Sequence, residues 1–414
     1  MVQSSQVVRQ ESYLSLMLAS LRYRDFRLVW LGSFTEHFGE FMEIATILWL
    51  TNELTHSPLM LTIVGSSRYM AMVFMPMVSG VVADRVNRRS MLIVALLGSA
   101  VLSVILAILT LTGLIAVWHL IAISLVSGVA MSFNHPARQA IVPNLIKREH
   151  LLNAVSLDFI SVHVSLFISM LMVGFLILLL GTGPIFIIRV AGCILAIVWL
   201  MMARIPPTPA ATKKRAPWQS LTEGFSYLRV NPILVGFIAL YLLPRLVATT
   251  YSNFTPVFAN DILRVGAVGY GYLQAAPGLG AILSLIGLTV LTYYKRKVTL
   301  LVFAGLIMGV GLIAFTFSPW LYPSLVLLVI VGGAEIAFST VNSTLIQAAI
   351  PDEVRGRIMS WREVAFGLGP VASIAFGAVA QYTGVPTSVE ILGGVCLIVS
   401  VVLIIFLPGF RRIE

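Results

Sequence analysis

The chain has 414 residues, of which 58% are apolar and 11% are charged, and its formal net charge is +10. A soluble domain carries roughly 25% charged residues, so this composition excludes a soluble protein and makes the lipid bilayer the main solvent. Inside lipid every backbone polar group needs an internal partner, which leaves helices or a closed barrel. The apolar runs are about 20 residues long and do not alternate, which selects helices.

Twelve apolar runs predict twelve membrane-spanning helices. The polar residues 1–20 that precede them have neither the apolar centre nor the cleavage site of a signal peptide. The predicted spans lie at 27–50, 59–82, 91–111, 116–136, 155–180, 184–203, 233–258, 268–292, 298–317, 322–346, 364–382 and 387–407.

The positions of the basic residues predict the orientation of these spans. The predicted loops on one side hold 23 of the 27 Lys and Arg residues, whereas the loops on the other side hold only Arg264. Arg68, Arg189 and Arg245 fall within spans, and we interpret Arg189 as snorkelling to the membrane surface. Cytoplasmic loops are enriched in Lys and Arg, so both termini are expected in the cytoplasm. Topology thus explains the positive charge, and we expect no nucleic-acid partner.

The longest polar stretch, 204–231, divides the chain into two parts of six predicted spans each. It begins with prolines and basic residues and continues as an amphipathic segment, which predicts a short helix at the membrane surface. A plain tether is the alternative. The domain boundaries that follow are 1–203 and 232–414, with the linker between them.

The two parts repeat each other. Gly80 and Arg88 of the first part recur as Gly287 and Lys295 of the second, at one constant offset. Because each part has six predicted spans, both have the same orientation in the membrane. Parallel repeats of this kind are a transporter architecture, with the substrate site between the parts near the membrane midplane.

The loop after the second predicted span carries a family resemblance. It reads Gly80-Val-Val-Ala-Asp84-Arg85-Val-Asn-Arg88-Arg89 and is similar to the signature loop of the major facilitator superfamily. The resemblance implies a conformational latch between the second and eleventh spans, formed by Gly80, Asp84, Arg85, Arg88 and Arg89 with Arg362 as the expected partner. In the second part Leu291 replaces Asp84, so one latch is expected to dominate.

Other stretches resemble the macrolide-efflux and enterobactin-exporter branch of this superfamily. They are Phe38-Gly39-Glu40, Leu54-Thr-His-Ser-Pro58-Leu, Asn134-His-Pro136-Ala-Arg-Gln139-Ala-Ile-Val-Pro143 and Leu152-Asn153-Ala. The branch usually has aspartate in place of Glu40, which carries the same charge. The resemblance implies a bacterial plasma-membrane protein that works as a monomer and exports a small amphipathic molecule, such as a drug or a siderophore, in exchange for protons.

Ionisable residues within the predicted spans are the candidate functional groups, since each costs about 2.5–3.5 kcal/mol at the midplane. Glu36, Glu40 and Glu43 are spaced by four and three residues, which places them on one helical face. Arg68 lies at a depth similar to that of Glu40. Crowding favours protonation of at least one carboxylate. We therefore expect Glu40 to be the carboxylate that binds and releases protons, and Arg68 to be its counter-ion.

A rival assignment places proton exchange at Glu335, with Arg245 as its counter-ion. The family resemblance implies that the first, fourth, seventh and tenth spans line the central cavity, so Glu40, Arg245 and Glu335 are all expected there. The structural alternative is that each pair only stabilises its own half of the molecule. Asp158 and His163 of the fifth span are interpreted as gate or packing residues.

The sequence contains no motif typical of catalysis, phosphate binding or metal binding. Cys193 and Cys396 lie in apolar runs without metal-ligand spacing, and the chain has no phosphate-binding glycine loop and no nucleophile elbow. We therefore expect no enzyme activity, metal or cofactor, and an ion gradient as the energy source. A lysolipid or lipid flippase and a metabolite or metal-ion importer stay open on the same fold, as does a membrane scaffold or receptor without transport.

Overall fold

The computed structural model describes residues 19–75, 86–206, 229, 231–290, 296–350 and 355–410. Within these residues, twelve α-helices have 17 or more residues. They are α1 (Arg24–Thr55), α2 (Pro58–Phe74), α3 (Arg88–Leu111), α4 (Val117–Leu145), α5 (Leu151–Leu180), α6 (Gly183–Met202), α7 (Pro232–Val257), α8 (Gly266–Val290), α9 (Lys297–Thr316), α10 (Leu321–Ala349), α11 (Arg355–Thr383) and α12 (Val385–Phe410). The predicted all-helical class is confirmed.

Nine of the described helical segments are long and apolar enough to cross a membrane; α1, α2 and α11 do not meet that criterion. The predicted spans overlap the long helices one to one, but several helices run further. Helix α4 continues to Leu145, and α11 begins at Arg355 rather than at 364. Hydropathy marks only the apolar part of a helix, whereas its hydrogen bonding continues through polar residues. Residues 207–228 and 230 of the predicted linker lie outside the described residues.

Local sequence explains how the chain turns between helices. The Ser57 hydroxyl accepts a hydrogen bond from the backbone N–H of Met60 at 3.4 Å, and Pro58 occupies the first turn of α2. The Asn87 side-chain oxygen accepts from the backbone N–H at the start of α3 in the same way, at 2.9 Å. Between α11 and α12 the chain reverses at Gly384, whose φ of 89° favours glycine.

The helices form two groups that meet mainly along two crossings. Helices α1–α6 pack with one another and are called the amino-terminal group; helices α7–α12 do the same and are called the carboxy-terminal group. The groups meet mainly where α2 crosses α11 and where α5 crosses α8, and α7 also contacts α1 and α2. The Tyr270 hydroxyl of α8 donates to the carbonyl oxygen of Ala45 in α1 at 2.7 Å. Between these crossings, the two groups face each other across space that a ligand can occupy.

Hydrogen bonds join the two groups at the end of the helices where α1 turns into α2, which we call the sealed end. Ser57 Oγ donates to Gln381 Oε1 at 2.8 Å, and Ser66 Oγ lies 2.9 Å from Ser373 Oγ. Asn253 Nδ2 donates to the same Ser373 hydroxyl at 3.4 Å. Helices α2, α7 and α11 are therefore tied together at this end.

Glycine allows α5 and α8 to approach each other closely at the sealed end. A Cβ atom on Gly271 would lie 2.8 Å from the carbonyl oxygen of Met170 and 3.0 Å from the backbone nitrogen of Gly174. Backbone atoms cannot rotate away, so a larger side chain must move the helices apart. We expect Gly271→Leu to shift the protein towards a form whose sealed end is open.

This prediction is checked by the distance between spin labels at the sealed end. Leu114 and Tyr322 are suitable positions, since they are 68% and 79% exposed and belong to different groups. The control is Gly287→Leu on the same helix, because nothing lies within 4 Å of a Cβ atom there. Equal distance distributions for the two variants would show that the α5–α8 crossing does not hold this end closed.

Candidate functional site

The acidic face of α1 points into the amino-terminal group. Glu40 Oε1 lies 2.8 Å from Arg68 Nη1, and Glu43 Oε1 lies 3.1 Å from Arg68 Nη2. The Ser103 hydroxyl of α3 also donates to Glu43. These side chains are buried, so the one arginine of α2 bridges two carboxylates away from solvent.

Glu36 is held by residues of α4 and α6. Its carboxylate forms an ion pair with Arg138 and accepts a hydrogen bond from Asn134 Nδ2. Arg138 also donates to Ser33 Oγ at 2.6 Å, and Arg189 Nη1 donates to the Glu36 carbonyl oxygen at 2.6 Å. Three glutamates of one helix thus face three arginines from three other helices. We call the glutamates Glu36, Glu40 and Glu43 with Arg68, Arg138 and Arg189 the ion-pair cluster.

Two sequence interpretations are corrected by this cluster. Arg189 does not snorkel to the surface: it is 3% exposed and lies within electrostatic range of Glu40 and Glu43. Arg138 falls in the loop that follows the predicted fourth span, which ends at 136, but in the structure it lies inside α4 and is 8% exposed. One arginine alone would leave the acidic face uncompensated, whereas three arginines can balance it.

A small cavity lies inside the ion-pair cluster. Its volume of about 20 Å³ is enough for about one water molecule, and all three glutamates line it together with Arg68 and Arg189. The sequence predicts Glu40 on the wall of the central cavity. In the structure it lines this small cavity instead, because the acidic side of α1 is turned towards α2, α3, α4 and α6.

A larger cavity of about 260 Å³ lies where the two groups face each other. From α1 it is lined by Phe41, Ile44 and Leu48, which occupy the side of the helix next to the acidic face. The other lining residues come from α2, α5, α7, α8 and α10. They are Gly65, Tyr69, His163, Leu166, Met170, Arg245, Ala248, Thr249, Tyr251, Ser252, Asn253, Gln274, Pro277, Gly278, Ala281, Glu335 and Ile336.

Charged and aromatic groups of both helix groups meet in the large cavity. Arg245 and Glu335 both line it and lie within electrostatic range of each other. Tyr251 is also within electrostatic range of Glu335. From the opposite side, the Tyr69 ring centroid lies 5.0 Å from Arg245 Cζ, which is within cation–π range. The cavity therefore combines apolar walls with a few convergent polar groups, as small-molecule sites do.

The two candidate gate residues of α5 lie in different surroundings. Asp158 is half-buried and within electrostatic range of Arg138, beside the ion-pair cluster. His163 is half-buried and lines the large cavity. The fifth helix thus borders both places, but the two side chains do not share one site.

The predicted latch is only partly within the described residues. Gly80, Asp84 and Arg85 lie outside them. Arg88 and Arg89 begin α3, and Arg89 Nη2 donates to the carbonyl oxygen of Met201 at 2.6 Å. Arg362, the expected partner of the latch, donates to Ser343 Oγ at 3.2 Å and lies 5.3 Å from the Tyr241 ring centroid. The contacts of Arg89 lie within the amino-terminal group, and those of Arg362 lie within the carboxy-terminal group. The latch between the two groups stays a prediction.

A family model described as transmembrane secretion effector matches residues 15–412. The chain belongs to this family. It is similar to the enterobactin exporter EntS of Shigella boydii serotype 18, with 27% identity over 373 residues that cover 87% of this chain and 86% of that protein. The enterobactin exporter EntS of Escherichia coli O139:H28 matches with the same identity and coverage.

Solved structures of transporters share the fold of this secretion-effector chain. A POT family transporter in complex with a thioalcohol-conjugated peptide has a TM-score of 0.77 at 13% identity and covers 93% of this chain and 96% of its own. The nucleoside transporter NupG has a TM-score of 0.72 at 17% identity, and the match covers 92% of this chain and 98% of NupG. The resemblance to the major facilitator superfamily is confirmed, and the chain is a multi-pass membrane protein of this class.

The sequence analysis does not identify several residues of the ion-pair cluster and of the large cavity. Asn134 and Arg138 are four apart on one face of α4, within the stretch that resembles the exporter branch, and that spacing was a usable signal. Ser103 and Tyr69 carried no such signal, because a serine or tyrosine in a predicted span is common. Cys193 and Cys396 are free and buried, in agreement with their positions in apolar runs.

Proposed function

We propose that this protein is a secondary active exporter that moves a small amphipathic organic molecule across the bacterial inner membrane, in exchange for protons, by alternating access. The large cavity carries this proposal. It lies between two helix groups that are tied together at one end, so relative movement of the groups can change the side from which it is reached. The similarity to proteins named enterobactin exporters, from Gram-negative bacteria, supports export as the direction of transport and the inner membrane as the location.

The proposed topology has twelve spans, with six-helix bundles at 1–203 and 232–414 joined by the linker 204–231. The excess of Lys and Arg on one side supports cytoplasmic termini. In that orientation the sealed end faces the periplasm, so we propose that this form is closed to the outside. The signature loop around Asp84 then lies on the cytoplasmic side, where it can act as a latch between α2 and α11.

The lining of the large cavity supports an amphipathic substrate. Phe41, Tyr69 and Met170 offer apolar and aromatic contact surface, while Asn253 and Gln274 offer hydrogen bonds. A bilayer lipid would require a lateral opening between the groups. The α2–α11 and α5–α8 crossings obstruct such an opening at the sealed end, which supports a compact soluble substrate over a lipid.

We assign proton exchange to Glu335, with Arg245 as its counter-ion, rather than to Glu40. Glu335 lines the cavity that is proposed to alternate, so protons and substrate can reach it from either side in turn. Glu40 is bound to Arg68 inside the amino-terminal group, where a change of protonation would disturb a balanced set of charges. The ion-pair cluster is accordingly proposed to stabilise this group as a rigid body.

Transport by purified protein in liposomes tests the proposal. With an acid interior, we expect enterobactin or erythromycin to accumulate inside, driven by proton efflux, and a protonophore to abolish the accumulation. Empty liposomes provide the control. A fluorescent lysolipid is measured in parallel. Movement of the lysolipid without accumulation of either molecule would overturn the exporter assignment in favour of a flippase.

A further inference from the structure

Tyr69 lies at the junction between the ion-pair cluster and the large cavity. The preceding residue, Arg68, is fixed by Glu40 and Glu43 at 2.8 and 3.1 Å. Consecutive residues of a helix point about 100° apart, so anchoring Arg68 inside the group directs Tyr69 away from it. The Tyr69 ring accordingly lines the large cavity, on the side of the amino-terminal group.

The stem of Arg245 is held against α11 from the other side. A Cβ atom on Gly369 would lie 2.9 Å from Arg245 Cβ and 3.1 Å from Arg245 Cγ, so the glycine clears space for this stem. The Cζ atom of the Arg245 guanidinium lies 5.0 Å from the Tyr69 ring centroid. Because the stem is restricted, the guanidinium is the part of Arg245 that can change partners.

Glu335 is the second partner within reach of Arg245. On α7 the ionisable groups near Glu335 are Arg245 and Tyr251. Helix α8 has no charged residue, α9 has only Lys297 at its start, and Glu335 is the one charged residue of α10. Across the cavity, the ionisable residues that line it are Tyr69 and His163. Arg245 is therefore the cation shared between the Tyr69 ring and the Glu335 carboxylate.

We propose that Tyr69 is a positioning residue that holds the Arg245 guanidinium across the boundary while the sealed end is closed, and that Arg245 passes to Glu335 when this end opens. The proposal rests on alternating access as proposed above. Tyr69 and Arg245 belong to different helix groups, so opening separates them. Arg245 and Glu335 belong to one group and stay together. The contact thus couples the closing of one end to the electrostatic surroundings of the cavity carboxylate.

Ring removal tests this proposal in the full-length protein, without substrate or a proton gradient. A cation–π contact of ordinary strength biases a two-state equilibrium by about 2- to 30-fold. We expect Tyr69→Leu to raise the ratio of the open to the closed population by that factor. The populations are measured from the distances between labels at Leu114 and Tyr322. Tyr69→Phe keeps the ring and is expected to stay close to the parent protein.

A double-mutant cycle separates the cation–π contact from plain packing. In an Arg245→Gln background, Tyr69→Leu is expected to cause no further shift. An equal shift in both backgrounds, no shift at all, or a Tyr69→Phe protein that behaves like Tyr69→Leu would each overturn the proposal. A failure of alternating access itself is recognised separately, because the parent protein would then show no accumulation of substrate in the liposome experiment.

Discussion

Glu335→Gln is expected to abolish concentrative transport while downhill equilibration of the substrate continues. Glutamine has the shape and neutrality of a protonated glutamate, so the cavity keeps its form and its hydrogen-bonding capacity. It cannot release a proton, so substrate movement is no longer tied to the gradient. Arg245 stays within reach and still lines the cavity. We also expect the variant to lack the dependence of transport on pH that proton exchange at Glu335 predicts for the parent protein.

Two liposome measurements decide this outcome. Accumulation against a gradient is recorded with and without a pH difference, and exchange of labelled for unlabelled substrate is recorded at equal pH on both sides. Glu390→Gln is the matched control, since Glu390 lies in α12, where it accepts a hydrogen bond from Thr316 at 3.1 Å and is absent from the cavity lining. If Glu335→Gln still accumulates substrate and Glu40→Gln does not, proton exchange belongs to Glu40.

Arg68→Gln is expected to cause the largest loss of stability in the amino-terminal group. Breaking a buried ion pair by removing one partner costs about 3–5 kcal/mol, because the remaining charge is left without compensation. Arg68 compensates both Glu40 and Glu43, so its loss affects two carboxylates. Glu40→Gln should cost less, since Arg68 then still pairs with Glu43. Arg138→Gln should fall between these variants, because Asn134 continues to bind Glu36.

These differences in stability are measured by thermal unfolding in detergent, with the loss of the helical signal as the readout. Lys147→Gln is the surface control, because Lys147 lies 4.0 Å from Glu149 and both side chains are mostly exposed. Exposed pairs contribute little, so this variant should unfold with the parent protein. An Arg68→Gln protein that is as stable as the control would mean that water already screens the cluster, and the rigid-body role would be abandoned.

The helical class and the pattern of charge along α1 were determined by the sequence alone. Long apolar runs permit only one kind of backbone in lipid, since every peptide group must find its partner within the segment. The spacing of Glu36, Glu40 and Glu43 fixes their common face, because the angle between residues within a helix is constant. Both conclusions depend on local rules that need no knowledge of neighbouring helices.

The direction of that face was decided only by the tertiary structure. Rotation of α1 about its own axis changes no local hydrogen bond, so it is set by the partners that the other helices present. Arg138 and Arg189 are 102 and 153 residues away from Glu36 in sequence, and only the packing of α4 and α6 against α1 brings them to it. The same packing turns Glu40 away from the large cavity and leaves Phe41 and its neighbours to line it, whereas Glu335 reaches that cavity from α10 of the other group. A sequence can thus show that a helix carries charge on one side, but the choice between an internal ion pair and a transport cavity depends on contacts between distant segments.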